Sequence, residues 1–155
     1  MPKFVDTSEP GSCIFCRIVT GELPAAKVYE DASVIAFMDI GQLNPGHVLV
    51  APKGHWENIF DIPPAEAQAV MRIAQQVALA AKAAFDCPGL MLFQANGREG
   101  EQTVMHFHLH VVPRHAGDGV GLIWPRKEPG PTLLEQYAGQ LRKQLASGQV
   151  NSASL

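Results

Sequence analysis

At 155 residues the chain has the length of one ordinary domain, able to bury a core without disulfides. Its 46% hydrophobic and 17% charged residues and net charge of −3 exclude a disordered chain and a basic surface for duplex nucleic acid. Three cysteines, two of them in Cys13-Ile14-Phe15-Cys16, do not make a secreted disulfide framework and point to metal or redox chemistry in a cytoplasmic setting.

MPKFVDTSEPGS lacks the apolar run of a signal peptide, and residues 1 to 12 read as a flexible N-terminal tail. Val28-Tyr29-Glu30 and Val34 to Met38 flank Asp31-Ala32-Ser33, the layout of two short strands joined by a turn. Asn44-Pro45-Gly46 is a turn signal, and His47 to Ala51 follows as a third strand ended by Pro52 and Gly54. Pro63-Pro64 opens a long helix in which Val70, Ile73, Val77 and Ala84 recur at helical spacing. Glu66, Arg72, Gln75, Gln76 and Lys82 interrupt that helix, which excludes a membrane span. Asp86-Cys87-Pro88-Gly89 stops it.

Leu90 to Ala95 reads as a fourth strand, Asn96 to Glu101 as a polar loop, Met105 to Val112 as a fifth strand and residues 132 to 146 as a second helix. No internal repeat is present, and Pro125 to Pro131 is too short to separate two domains. Strands, helix and strands in this order predict an α+β fold: a five-stranded antiparallel sheet with two helices.

The fifth strand carries His106, His108 and His110 at alternate positions, in a chain with six histidines. On a strand their rings share one face, while Phe107, Leu109 and Val111 share the other. Adjacent rings lie about 6.6 Å apart along a strand, too close for all three to be protonated cheaply, so at least one is expected neutral at pH 7. Three uses remain open: a metal site, covalent catalysis with one ring as nucleophile, or simply a polar face. The preceding loop supplies Asn96, Gly97, Gly100, Gln102 and Thr103, groups able to hold phosphate oxygens and equally common in turns.

HFHLHVV resembles in full the His-φ-His-φ-His-φ-φ signature, φ being apolar, of the histidine triad family of nucleotide hydrolases and transferases. The resemblance runs over residues 13 to 125, through CIFCRIVTGELPAAKVYED, AFMDI, GHVLVAPKGH and the loop Asn96 to Thr103. It is nearest the bacterial Hint-like branch, and it leaves residues 126 to 155 as a C-terminal extension with a helix. It implies that His108 is the nucleophile on the α-phosphorus of a purine nucleotide, with His110 and His106 completing the catalytic triad. By the same resemblance Asn96, Gln102 and Thr103 contact the phosphate or leaving group, and Asp39 binds the ribose hydroxyls. Ile14, Phe15, Ile18, Phe37 and Ile40 match the base slot, and His47 a histidine close to the triad.

Asp39 also suits a turn cap, Phe15 and Phe37 the core, and His47 a buried structural position. Some bacterial relatives join the Cys-x-x-Cys, the histidine of Pro52 to His55 and the first triad histidine around structural zinc, here Cys13, Cys16, His55 and His106. A redox pair or two ordinary thiols are the alternatives for Cys13 and Cys16, and Cys87 reads as a buried thiol.

The family pairs two such domains into a homodimer that joins two sheets, and its C-terminal segment, with Trp124 here, helps shape the active site. The implied reaction is hydrolysis of a purine nucleoside phosphoramidate or related mixed nucleotide, with dinucleoside polyphosphate hydrolysis as the alternative. A zinc-stabilised nucleotide sensor or interaction module with little turnover is the alternative of another class.

Overall fold

Side chains along an extended strand alternate between faces, so a strand apolar at every position serves two cores at once. The second strand, Val34–Met38, and the third, Val48–Pro52, are of this kind and are almost entirely buried. In this computed structural model, which describes residues 4–121 and 125–148, they are β2 and β3 of a five-stranded sheet. With β1 (Lys27–Glu30), β4 (Gly89–Phe93) and β5 (Leu109–Arg114), the order is β1-β2-β3-β5-β4 and every pairing is antiparallel.

One face gathers Val34, Ala36, Val48, Val50, Phe107, Leu109 and Val111 beneath the helix Pro64–Phe85, whose Val70, Ile73, Ala74 and Val77 complete the cluster. Ala81 closes that helix's buried stripe; Ala84, expected on it, lies beyond the sheet and is exposed. The other face gathers Ile35, Phe37, Leu49 and Ala51 with Phe15, Cys16 and Ile18 of a short helix, Ile14–Val19. Among the described residues there are therefore three helices: α1 (Ile14–Val19), α2 (Pro64–Phe85) and α3 (Pro131–Ala146). α1 is too short to show a period in sequence, and its start is fixed by the Cys13 sulfur accepting the Cys16 N–H at 3.3 Å.

β4 ends at Phe93, two residues short of the expected Ala95, and two larger departures lie at β5 and the N-terminus. β5 begins at Leu109 rather than Met105, because the next positions on β3 lead to Pro52, which has no N–H to give the ladder. The strand-like alternation continues through His106 and His108 nonetheless, with Phe107 on the α2 side and both rings on the other. The expected N-terminal tail is tied down at Asp6, which is buried and bridges Val104 in parallel. The Asp6 carboxylate accepts the Ser8 and Ile14 N–H groups at 2.9 and 2.7 Å.

Residues to Asp118 form one compact unit and residues from Gly119 a second, which contains α3. α3 has no buried residue; Leu134, Tyr137, Leu141 and Leu145 are exposed along it. Among the described residues no helix is long and apolar enough to cross a membrane. Trp124 lies outside the described residues.

Candidate active site and metal centre

The rings of His106, His108 and His110 leave the chain on one face, yet they enter two different environments. His106 and His108 are fully buried, while His110 is partly open. The His106 Nε2 lies 2.9 Å from the Pro52 carbonyl, an acceptor only, so Nε2 carries the proton and Nδ1 a bare lone pair. That lone pair faces Cys13 Sγ at 3.4 Å and Cys16 Sγ at 3.7 Å. His55 Nδ1 faces the same sulfurs at 3.5 and 3.3 Å.

A tetrahedral zinc ion, with bonds of about 2.3 Å to sulfur and 2.0 Å to nitrogen, sets its sulfur and nitrogen ligands about 3.6 Å apart. The four residues fit that set, and the bond from His106 to Pro52 is the outer support a ligating imidazole needs. Burial pushes the Cys13 thiol up to about 11 in the absence of an ion; a dication beside it works against that shift and favours the thiolate. Burial likewise lowers His106 to about 4, so its ring is neutral. Both His106 nitrogens are engaged in this cluster. What His106 offers its neighbour is its backbone carbonyl, while its ring nitrogens face the Pro52 carbonyl and the two sulfurs.

That carbonyl accepts from His108 Nδ1 at 2.7 Å. A carbonyl cannot donate, so the neutral His108 ring has its proton on Nδ1 and a free lone pair on Nε2. Burial lowers its pKa, and Phe15 meets the ring edge-on with centroids 5.0 Å apart. A neutral imidazole with a directed lone pair is a nucleophile.

His110 is held by a second chain of tautomers. The Leu43 backbone N–H donates to His47 Nδ1 at 3.3 Å, which leaves the His47 proton on Nε2. From there it is donated to His110 Nδ1 at 2.9 Å, so His110 keeps its own proton on Nε2. Burial, then the neighbouring His108 and His47, lower His110 to about 3. Asp39 Oδ2 stands 3.4 Å from His47 Nε2 and 3.9 Å from His110 Nδ1. Asp39, His47 and His110 are spaced like metal ligands, but a lone pair for metal on His47 Nε2 requires a proton on Nδ1, where Leu43 already donates. Hydrogen bonding, not metal, suits this trio.

The turn Asn44-Pro45-Gly46 delivers His47. The His47 N–H returns to the Asn44 carbonyl at 3.1 Å, with Pro45 and Gly46 at the positions a type II turn requires. Gly46 has φ +92, and a Cβ there would lie 2.5 Å from the Phe85 ring. Gln42 clamps the turn, accepting the Gly46 and His47 N–H groups and donating to the His47 carbonyl.

Of the other expected substrate residues, Ile14, Phe15, Ile18 and Phe37 meet in the apolar cluster beside the triad, while Ile40 stands outside it and is fully exposed. Asp39 is partly exposed beside His47, its Oδ1 accepting the Gly41 N–H. Asn96 and Gln102 staple two loops: Asn96 accepts from Ile59 N–H, while Gln102 accepts from Gly97 N–H and donates to the Glu57 and Val104 carbonyls. Both Gln102 side-chain N–H groups are thus committed to the protein. The Thr103 backbone carbonyl accepts from the Asp6 N–H. Sequence reasoning did not find the Leu43 N–H, the Pro52 carbonyl or Phe93, whose ring stacks on His110. Backbone groups leave no sequence signal, and a cross-strand neighbour requires the register.

One face of the sheet thus carries a buried histidine whose Nε2 is left open and, beside it, a hydrogen-bonded histidine pair. Residues 20–117 match the family described as HIT domain, and the chain belongs to that family. It is 39% identical over 139 residues to Protein hit of Bacillus subtilis, covering 88% of this chain and 96% of that protein. It is 31% identical over 140 residues to a Candida albicans protein named adenosine 5'-monophosphoramidase, covering 87% of this chain and 92% of that one. Among solved structures, a Zn-bound histidine triad family protein from Mycobacterium smegmatis superposes with a TM-score of 0.67 at 34% identity, covering 88% of this chain and 98% of that chain.

Proposed function

We propose that this chain hydrolyses a purine nucleoside phosphoramidate or a related mixed nucleotide through a covalent nucleotidyl-His108 intermediate. The observation that carries the reading is the His108 Nδ1–H bond to the His106 carbonyl, which leaves Nε2 free in a neutral ring. Nε2 attacks the α-phosphorus, the bond to the leaving amine breaks, and the amine departs with a proton taken from solvent. Water then attacks the same phosphorus and gives a proton to solvent, the phosphorus–Nε2 bond breaks, and the nucleoside monophosphate leaves with His108 neutral again. The His110 Nε2–H donates to a phosphoryl oxygen in both steps.

The apolar cluster at Ile14, Phe15, Ile18 and Phe37 takes the base, Asp39 the ribose hydroxyls, and the Thr103 hydroxyl the phosphate or leaving group. The naming of the Candida albicans relative supports a phosphoramidate over a dinucleoside polyphosphate. One zinc ion, held by Cys13, Cys16, His55 and His106, fastens α1 to the sheet; with four protein ligands it supplies structure. A homodimer joins two sheets through β4, an edge strand with Leu92 exposed, and through α2, where Met71 and Leu79 are exposed.

The test is turnover of adenosine 5'-phosphoramidate and of a diadenosine polyphosphate, side by side with His108→Ala. Loss of about a thousandfold or more in kcat is expected, together with retained configuration at a chiral phosphorothioate centre. Full activity in the variant, or inversion at phosphorus, overturns the reading.

A further inference from the structure

Phe93, the last residue of β4, stands directly opposite His110 in the pairing of β4 with β5. Directly opposed residues share a face of the sheet, and here the two rings stack, with centroids 4.1 Å apart and planes 9° from parallel. Every other ring contact around the triad is edge-on or tilted. Phe93 belongs to neither apolar cluster and is only partly buried, so core packing does not account for its placement.

His110 has a use for such a neighbour. Among the described residues its one side-chain hydrogen bond, from His47 Nε2, holds Nδ1 at 2.9 Å. A single bond tolerates about 30° of misalignment, and a ring rocking that far moves its opposite nitrogen by on the order of 1 Å. The nitrogen that moves is Nε2, whose proton points at substrate in the proposed reaction. A flat ring stacked on the imidazole resists the rocking that the hydrogen bond permits.

We propose that Phe93 is a positioning residue that fixes the ring plane of His110, so that the His47 bond sets its tautomer and the Phe93 face sets the direction of its Nε2–H. This rests on the reading of His110 as the phosphate-orienting donor. Phe93→Met keeps volume and removes the flat face; Phe93→Tyr keeps the face. Steady-state kinetics on adenosine 5'-phosphoramidate should show kcat down about five- to twentyfold in Phe93→Met with KM within about twofold, and most of kcat retained in Phe93→Tyr.

Relaxation NMR of the His110 ring, read without substrate, should show a rigid Nε2–H ring in the wild type and in Phe93→Tyr, and the same tautomer with a lowered ring order parameter in Phe93→Met. An unchanged kcat and ring order in Phe93→Met overturns the proposal, as does a Tyr variant as impaired as the Met variant. Should Phe93→Met fail to fold, Phe93→Leu takes its place under the same criteria. If the wild type does not turn over the phosphoramidate, the reaction assignment fails by itself, and the ring-order measurement still decides the effect of Phe93.

Discussion

Stripping metal from the Cys13, Cys16, His55 and His106 set should lower stability without stopping the chemistry. In small zinc domains the ion contributes about 10–16 kcal/mol, and the metal-free chain unfolds. Here α1 has a second hold on the sheet, because Phe15 and Ile18 are buried against Phe37 and Leu49. Each such side chain contributes about 1.5–3 kcal/mol. The thiols and imidazoles also retain contacts of 3.3 to 3.7 Å with one another. The metal-free protein is therefore expected to stay folded and lose only the linkage term, about 2.7 kcal/mol when free zinc is a hundredfold above its Kd.

At about 2–4 °C per kcal/mol for a chain of this size, Tm should fall by roughly 5–11 °C. Elemental analysis, followed by thermal melts with and without a strong chelator and in Cys16→Ser, provides the assay. Turnover is measured well below the lower Tm, where it should persist. An unchanged Tm in chelated protein, or no zinc in protein purified without chelator, would refute the structural assignment. Prompt loss of turnover without unfolding would move the metal into the chemistry.

Asp39→Ala should weaken ribonucleotides by about 1–3 kcal/mol, the cost of a lost hydrogen-bonding partner, and 2′,3′-dideoxynucleotides far less; equal losses in a binding titration would make Asp39 a turn residue only. The acid limb of the kcat profile should fall well below pH 6.5, because His108 is held low by burial and His110 at about 3 by burial and its histidine neighbours; an acid midpoint at 6.5 or above would contradict this. For stability the sign is the same: the contribution of neutral His110 is fully present above its unfolded value of about 6.5 and is lost progressively as pH falls toward about 3, a decline visible in urea melts from pH 7 to 4. Gly46→Ala should destabilise by at least about 1–3 kcal/mol, since its Cβ meets the Phe85 ring at 2.5 Å on a backbone with φ +92, and denaturant midpoints check it.

The sheet and the long helix were legible because alternation and helical spacing are written directly into residues such as Val34 to Met38 and Val70, Ile73 and Val77. α1 was not, since six residues complete fewer than two turns and its anchors, Asp6 and Cys13, lie outside it. The triad was legible as three rings on one face, but not its division between the Cys13 and Cys16 cluster, the His106 carbonyl and the His47 pair. That division comes from the Pro52 and His106 carbonyls and the Leu43 N–H, groups every residue type carries alike. The polar loop read as a phosphate cradle; Asn96 and Gln102 also hold it against the loop at Glu57 and Ile59, a pairing of distant segments that composition does not encode.

The bonds between Cys13 and His106 have a consequence for how the chain is made. The two residues are 93 positions apart, and Asp6 pairs with Val104 across a similar span. At about 5–20 residues per second of synthesis, the Cys-x-x-Cys turn is on the order of 5–20 seconds old before its second histidine exists. Until then α1 has Phe37, Leu49 and His55 to hold it, and the last contacts of the Cys-x-x-Cys turn are high-contact-order ones that wait for the triad segment.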